Sequence, residues 1–265
     1  MSRVRFCTLV SGSSANSSYL EINGRGILID AGAGIRKTEK LLSQLGSSLS
    51  RIQGIFLTHE HSDHGNGLCS ITRKYRIPIM ANGPTLTAVA AQYPELDTDL
   101  FRLMPTGAKA QRDDFCVTSF RCMHDSAECV GYRIDTEQGS FGVCTDLGDV
   151  SDTVVQALRK CRGIIFEANH DADMLRSGPY SYPLKQRIAG PCGHLSNLQC
   201  GQALCGLTET GIEQVFLAHL SRENNTPQVC MHTVRAVLEQ QGIREGTDVK
   251  AVVAPRNEPS EMYIC

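Results

Sequence analysis

The 265-residue chain has no apolar run of the roughly eighteen residues that a membrane-spanning helix needs. The opening MSRVRFCTLVSGSSANSSYL carries basic residues, but its apolar run is too short for a secretory signal. None of the twelve cysteines forms a CxxC pair. Scattered cysteines fit a reducing compartment, and with the missing signal they point to the cytoplasm. Most are expected in the core as small apolar side chains. Cys192, Cys200 and Cys205 flank His194, but their spacing matches no common structural zinc site. Positive charge is not in excess either: the net charge is −2, so any nucleic acid must be met by a local patch. No repeat, low-complexity tract or obvious linker occurs.

What is present is a globular composition, 41% hydrophobic and 20% charged, with a length suited to one large domain or two small ones. YLEINGRGILID reads as two strands joined by a Gly-containing turn, after a short SGSSANSS loop. TEKLLSQLGSSL has helical spacing through Leu41, Leu42 and Leu45. GIFLT is a buried strand, and GLCSITRKY a helix. PIMA is a strand, and PTLTAVAAQY a helix with Pro in its first turn. FCVTSFRCMH alternates and ends in His124. GYRIDTEQGSFGVCTD is a hairpin ending in Asp146. SDTVVQALRKC is a capped amphipathic helix. GIIFEANHD is a buried strand. ADMLRSGPYSYPLKQRIAGPCGHLSN is expected to be long and irregular, with room for a short helix. QVFLAH is a strand ending in His219, TPQVCMHTVRAVLEQQGI a long helix and VKAVVA a last strand. This is an α/β pattern with much antiparallel pairing, distinct from the strict alternation of a doubly wound fold.

Eight histidines fall mostly at strand ends or in loops, and three of them crowd into HEHSDH after GIFLT. On extended backbone His59 and His61 share one side. Asp63 and His64 follow a turn at Ser62 and can aim elsewhere. Such a set suits two adjacent ions better than one, since imidazole binds zinc, iron or manganese and carboxylate can bridge. Glu60 alternates with the histidines and is expected to point away. Two ions need more ligands, and His124, Asp146 and His219 each follow an apolar strand, where a rigid scaffold presents a site. A lone histidine there is commonly a hydrogen-bonded core or surface residue. Beside HEHSDH the ligand reading gains weight.

HEHSDH matches HxHxDH, the signature of the metallo-β-lactamase fold, and the order Asp30, HxHxDH, His124, Asp146, His219 resembles that fold's five motifs. The chain is further similar to the YycJ/WalJ group of small metallo-hydrolases through SGSSANSSYLEI, EANHDADMLRSGPY, LKQRIAGPCGHLSN and FLAHLSRENN, which together span nearly the whole chain. SSAN stands where that group usually has SSGN. The resemblance implies an αββα sandwich of two mixed sheets flanked by helices, as a single domain over residues 1–265. It implies two divalent ions, zinc or manganese. His59, His61 and His124 would hold one, Asp63, His64 and His219 the other, and Asp146 would bridge. Asp30 would stand behind the ligands and orient the His loop by hydrogen bonds.

Two such ions, about 3.5–4 Å apart, can share a hydroxide and clamp the attacking and leaving oxygens of a hydrolysis. The reacting groups are then expected to be Asp63, at the metal centre, and His194, which could protonate a leaving oxygen or contact a phosphate. His170 is expected behind the ligands or fixing a loop, and His232 as an ordinary helix residue. Arg176, Lys185, Arg187 and Arg222 could form a phosphate-binding rim, with Tyr180 and Tyr182 between them able to stack on bases. Ser196 joins Lys185, Arg187 and His194 as a candidate substrate contact. The resemblance implies a DNA exonuclease acting on duplex DNA from a 5′ end. The stretch from Asp146 to His219 is too short for the β-CASP insertion of larger nucleases. The residues themselves support hydrolysis of a phosphate-containing or other ester, so a small-molecule hydrolase (a cyclic phosphodiesterase, thioesterase or lactonase) is the alternative. A binding protein with catalysis lost is disfavoured because every expected ligand is present. A β-lactamase is disfavoured because no secretory signal is seen and the second site has Asp63 rather than cysteine.

Overall fold

Strands whose two faces are both apolar must be covered on both sides, and that requirement organises this chain. The computed structural model describes residues 3–265. Its first half runs β1 (Val4–Val10), β2 (Ser17–Ile22), β3 (Arg25–Ile29), α1 (Ile35–Gln44), β4 (Ile52–Phe56), α2 (Ser62–Gly65), α3 (Leu68–Tyr75), β5 (Ile79–Ala81), α4 (Gly83–Gln92) and β6 (Phe101–Leu103). The second half begins with β7 (Lys109–Gln111), β8 (Phe115–Arg121), β9 (Val130–Thr136), β10 (Gly139–Cys144), α5 (Asp152–Leu158) and β11 (Cys161–Glu167). It continues with α6 (Ala172–Ser177), α7 (Tyr182–Ile188), α8 (Asn197–Thr208), β12 (Gln214–Ala218), α9 (Pro227–Gln240), β13 (Lys250–Val253) and β14 (Tyr263–Ile264).

The strands form two seven-stranded sheets, β14-β1-β2-β3-β4-β5-β6 and β13-β12-β11-β10-β9-β8-β7. Both are mixed. In the first, β14, β1, β2 and β3 pair antiparallel and β3 to β6 parallel. In the second, β7 to β10 pair antiparallel and β10 to β13 parallel. Period-two alternation divides each strand between two cores. Phe6, Ile29, Phe56, Phe141, Ile165 and Phe216 meet between the sheets. The opposite phase, Leu28, Ile55 and Leu57, packs under α1, α3 and α4. Ile164, Phe166, Val215 and Leu217 pack under α5, α8 and α9. The result is the expected αββα sandwich. Phe6 stacks at 5.2 Å from Phe141 and 5.9 Å from Phe216 between ring centroids, and cutting one such ring to Ala typically costs about 3–5 kcal/mol.

Several elements were not anticipated. The irregular stretch before His194 contains two short helices, α6 capped by the Asp171 side chain and α7 with Pro in its first turn. Helix α8 begins on a capping box in which Ser196 and Gln199 bond reciprocally, a signal present in the sequence as S-x-x-Q. Short strands β6, β7 and β14 are set by pairing with neighbours rather than by their own pattern.

Candidate metal centre

The carboxyl ends of β3, β4, β8, β10, β11 and β12 deliver Asp30, His59, His124, Asp146, Glu167 and His219 to one place, the usual location of sites in sheets with parallel strands. Asp30, Asp146 and His219 each take a left-handed backbone, with φ of 65°, 60° and 59°. Asp and His tolerate this conformation better than most residues. It turns the chain sharply at the strand end.

The histidines gather tightly. Ring centroids of His59, His61 and His124 lie 4.6, 5.1 and 5.2 Å apart, and their ring nitrogens can meet one ion. Asp63, His64 and His219 form a second such group. Asp63 Oδ2 lies 3.4 Å from His64 Nε2 and 3.5 Å from His219 Nε2. Asp146 lies between the groups, with Oδ2 at 3.0 Å from His64 Nε2 and Oδ1 at 3.7 Å from His124 Nε2.

Four of the rings are fixed by the same device. His59 Nδ1 bonds Thr58 Oγ1 at 3.0 Å, and His64 Nδ1 bonds Asp30 Oδ2 at 2.7 Å. His124 Nδ1 bonds the Gly193 carbonyl at 3.1 Å, and His219 Nδ1 bonds Glu167 Oε1 at 2.7 Å. Nδ1 is thereby committed, and Nε2 is left for a ligand. Among the described residues, the buried Nε2 atoms of His59, His124 and His219 have no hydrogen-bond partner. Leaving so many polar atoms buried and unpaired is costly, and a cation resolves all of them. Burial is the main cause that pulls the pKa of His59 and His124 down, giving the neutral imidazole that metal binding needs. At His64 and His219 burial is outweighed by Asp146 and neighbouring carboxylates, and the pKa rises, to about 10 for His219. A pocket this rich in carboxylates draws positive charge. The donor set fits two divalent cations.

The expected residues fall into three groups. Asp30 and all seven candidate ligands converge. Asp30 also accepts from Thr58 N at 2.8 Å, anchoring the start of the His loop. His194 lines the cleft over the centre, a cavity of about 330 Å³ shared with Tyr180, Leu184, Arg187 and Ile188. Tyr180 and Arg187 share that cleft, and the other candidates lie elsewhere. Ser196 spends its hydroxyl on the α8 cap. Lys185, Arg176 and Tyr182 line a separate cavity together with His170, whose carbonyl accepts from Asn197 N at 2.8 Å. Arg222 is exposed and faces Glu223. Arg187 pairs with Asp125, beside His124. Glu60 accepts from Ala127 N at 2.8 Å and so points to the His124 loop.

Sequence reasoning missed two side chains. Glu167 is fully buried at the end of β11. Its Oε1 accepts from His219 and, at 2.9 Å, from His194 Nδ1, and its Oε2 accepts from Leu147 N at 2.9 Å. Burial alone would raise its pKa, but His194 and His219 hold it at about 2. An acid closing the apolar run GIIFE was its signal. Asn16, in SGSSAN, donates to Asp63 Oδ2 at 3.0 Å and lies 3.1 Å from His64 Nε2.

Two mixed sheets between helix layers, with paired His/Asp clusters at the strand ends, define the metallo-β-lactamase-fold class of metal-dependent hydrolases. A family model described as "Beta-lactamase superfamily domain" matches residues 25–220. The chain is 34% identical over 243 residues to "Exodeoxyribonuclease YycJ" of Bacillus anthracis, covering 92% of each. It is 34% identical to "Exodeoxyribonuclease WalJ" of Streptococcus pneumoniae, covering 93% of this chain and 92% of that one. The metallo-β-lactamase fold protein YhfI from Bacillus subtilis superposes over 100% of both chains with a TM-score of 0.74 at 14% identity, a likeness of fold. The chain belongs to the beta-lactamase superfamily and, within it, to the YycJ/WalJ group.

Proposed function

We propose that the protein is a two-metal exodeoxyribonuclease that degrades duplex DNA from a 5′ end. The observation that carries this reading is the pair of ligand clusters joined at Asp146, in a chain one-third identical along nine-tenths of its length to curated exodeoxyribonucleases. His59, His61 and His124 would hold one divalent ion, zinc or manganese, Asp63, His64 and His219 would hold the other, and Asp146 would contribute to both. Bound ions supply Lewis-acid stabilisation of phosphodiester oxygens and a water of lowered pKa.

The chain's own residues do the rest. Asp30, Thr58, Glu167 and the Gly193 carbonyl orient the ligand rings. His194 stands over the centre with Nδ1 bound to Glu167, which leaves Nε2 facing substrate. Burial opposes its charge, but Glu167 outweighs burial and raises its pKa. The charged form of His194 is thereby favoured, and it is the form that can give a proton to the leaving oxygen. Leu184 and Ile188 wall the cleft and limit water, and Arg187 at its rim offers charge to a phosphate once it exchanges Asp125 for substrate.

The chain works as one domain over residues 1–265 without a β-CASP insertion. Between Asp146 and His219 the described elements are α5, β11, α6, α7, α8 and β12, which supports an open cleft able to take a strand end. No helix among the described residues is long and apolar enough to cross a membrane. We place the protein in the cytoplasm, which its twelve cysteines suit.

End-labelled duplex DNA with Mn²⁺ or Zn²⁺ tests the reading: the label is released in short products, and EDTA stops the release. Turnover of a small ester with no cleavage of any DNA or RNA contradicts it.

A further inference from the structure

Helix α7 is a partition. Leu184, Arg187 and Ile188 face the metal cleft. Tyr182, Lys185, Gln186 and Ala189 face a second cavity of about 300 Å³ on its other side. Spacings of three and four residues put each set on its own helix face. No residue of α7 is buried, so both of its faces are open to ligands.

The second cavity has a built interior. Its apolar wall comes from Ala172 and the buried Leu175. His170 also lines it. This residue is 3% exposed, and its Nδ1 is buried with no hydrogen-bond partner among the described residues. Burial pulls its pKa down to about 4, so the ring is neutral and offers one donor and one acceptor. At the mouth stand the Tyr182 ring, 73% exposed, and two cations. Lys185 donates to the Arg176 carbonyl at 2.8 Å. Arg176 pairs with Asp173 at 2.7 Å where both are largely exposed, a pairing that a phosphate can replace at little cost. A mostly apolar cavity with a buried polar edge, an aromatic ring and cations at its mouth suits a nucleobase with its backbone phosphate. The volume falls at the lower end of small-ligand pockets, about 300–1,000 Å³.

We infer that the cavity behind α7, lined by His170, Leu175, Tyr182 and Ala189, receives one unstacked base of the DNA strand whose end is in the metal cleft. This rests on the exonuclease reading of that cleft. A helix is about 10 Å across with its side chains, a width equal to about three nucleotides stacked at 3.4 Å each. The captured base therefore lies within about three nucleotides of the scissile bond. To reach the cavity it must leave the duplex stack, which costs least where pairing is weak.

The experiment uses the metal-loaded protein and DNA ends carrying an abasic site at the first, second or third nucleotide. Wild type should cleave intact ends about tenfold faster, in kcat/KM, than ends abasic at one of these positions. Ala189→Trp fills the cavity from an exposed position and should bring that ratio close to one. Tyr182→Ala should lower it several-fold. Deoxyadenosine, which has no phosphate to meet the metals, should bind wild type in a calorimetric titration and fail to bind Ala189→Trp. If DNA is degraded but the ratio is near one at every position, or stays tenfold in both variants, the base site is wrong and the exonuclease stands. If DNA is not degraded yet deoxyadenosine binding is lost in Ala189→Trp, the exonuclease reading fails and the base site stands. Deoxyadenosine binding that is absent from wild type, or survives in Ala189→Trp, overturns the base site whatever happens to DNA.

Discussion

Glu167 and His194 are joined by a hydrogen bond of 2.9 Å, from Nδ1 of the imidazole to Oε1 of the carboxylate. The same oxygen takes the Nδ1 proton of His219 at 2.7 Å. One buried acid thus links the residue assigned to the leaving group with a residue assigned to a metal.

That link separates three variants. His194→Ala should keep both ions and lose about 10²–10⁴ in kcat, the usual worth of a general acid. His59→Ala should lose metal. Glu167→Gln should do some of each, with a drop in kcat and about 10–100-fold weaker metal binding, because His219 loses its orienting carboxylate. Metal analysis beside initial rates checks all three. Equal metal loss in His194→Ala and His59→Ala would remove the role given to His194.

Asp30 acts on the opposite side of the centre. It bonds His64 Nδ1 at 2.7 Å and the Thr58 amide at 2.8 Å. Asp30→Asn keeps the size and removes the charge. Metal affinity should fall about 10–100-fold, measured by competition with a chelator, and excess metal should restore much of the rate. A variant with wild-type affinity would make Asp30 a residue of the fold alone.

Gly32 tests the backbone that carries the His loop. A Cβ there would come within 1.8 Å of the Asp63 carbonyl oxygen. Around it, Gly32 N donates to Asn16 O at 2.9 Å and Asn16 N to Asp63 O at 2.8 Å. Gly32→Ala should cost at least about 2 kcal/mol, as forced overpacking does, and should also weaken metal binding. Urea unfolding and metal analysis report the two losses, and the account expects them together.

His170 contributes a pH dependence. Its folded pKa, about 4, lies below the ordinary 6.5 because the ring is buried. As pH falls the unfolded chain takes up this proton first. The contribution is therefore fully present above pH 6.5 and is lost progressively towards pH 4, by up to about 3 kcal/mol. Urea unfolding of wild type and His170→Gln across this window should show a steeper acid loss in wild type. Parallel curves would mean that the ring is not held neutral.

The ease with which these residues could be read from sequence follows their geometry. HEHSDH was legible because four candidate ligands lie within six positions. His124, Asp146 and His219 were legible because each closes an apolar strand. Glu167 closes one too, but its partners lie 27 and 52 residues away and meet it only because β11 pairs parallel with β10 and β12. Asn16 was hidden in a stretch that reads as a short Ser/Gly-rich loop. Helices α6 and α7 escaped because stretches of six and seven residues show too little periodicity. Lys185 and Arg187, two positions apart, looked like one rim. On a helix they face different cavities.

The most direct test compares linear duplex DNA with covalently closed circular DNA, using protein loaded with Mn²⁺ or Zn²⁺. The linear DNA should be shortened from its 5′ ends, the circle should survive, and EDTA should stop the reaction. A circle cut as fast as the linear form, or linear DNA left whole by the metal-loaded protein, would contradict it.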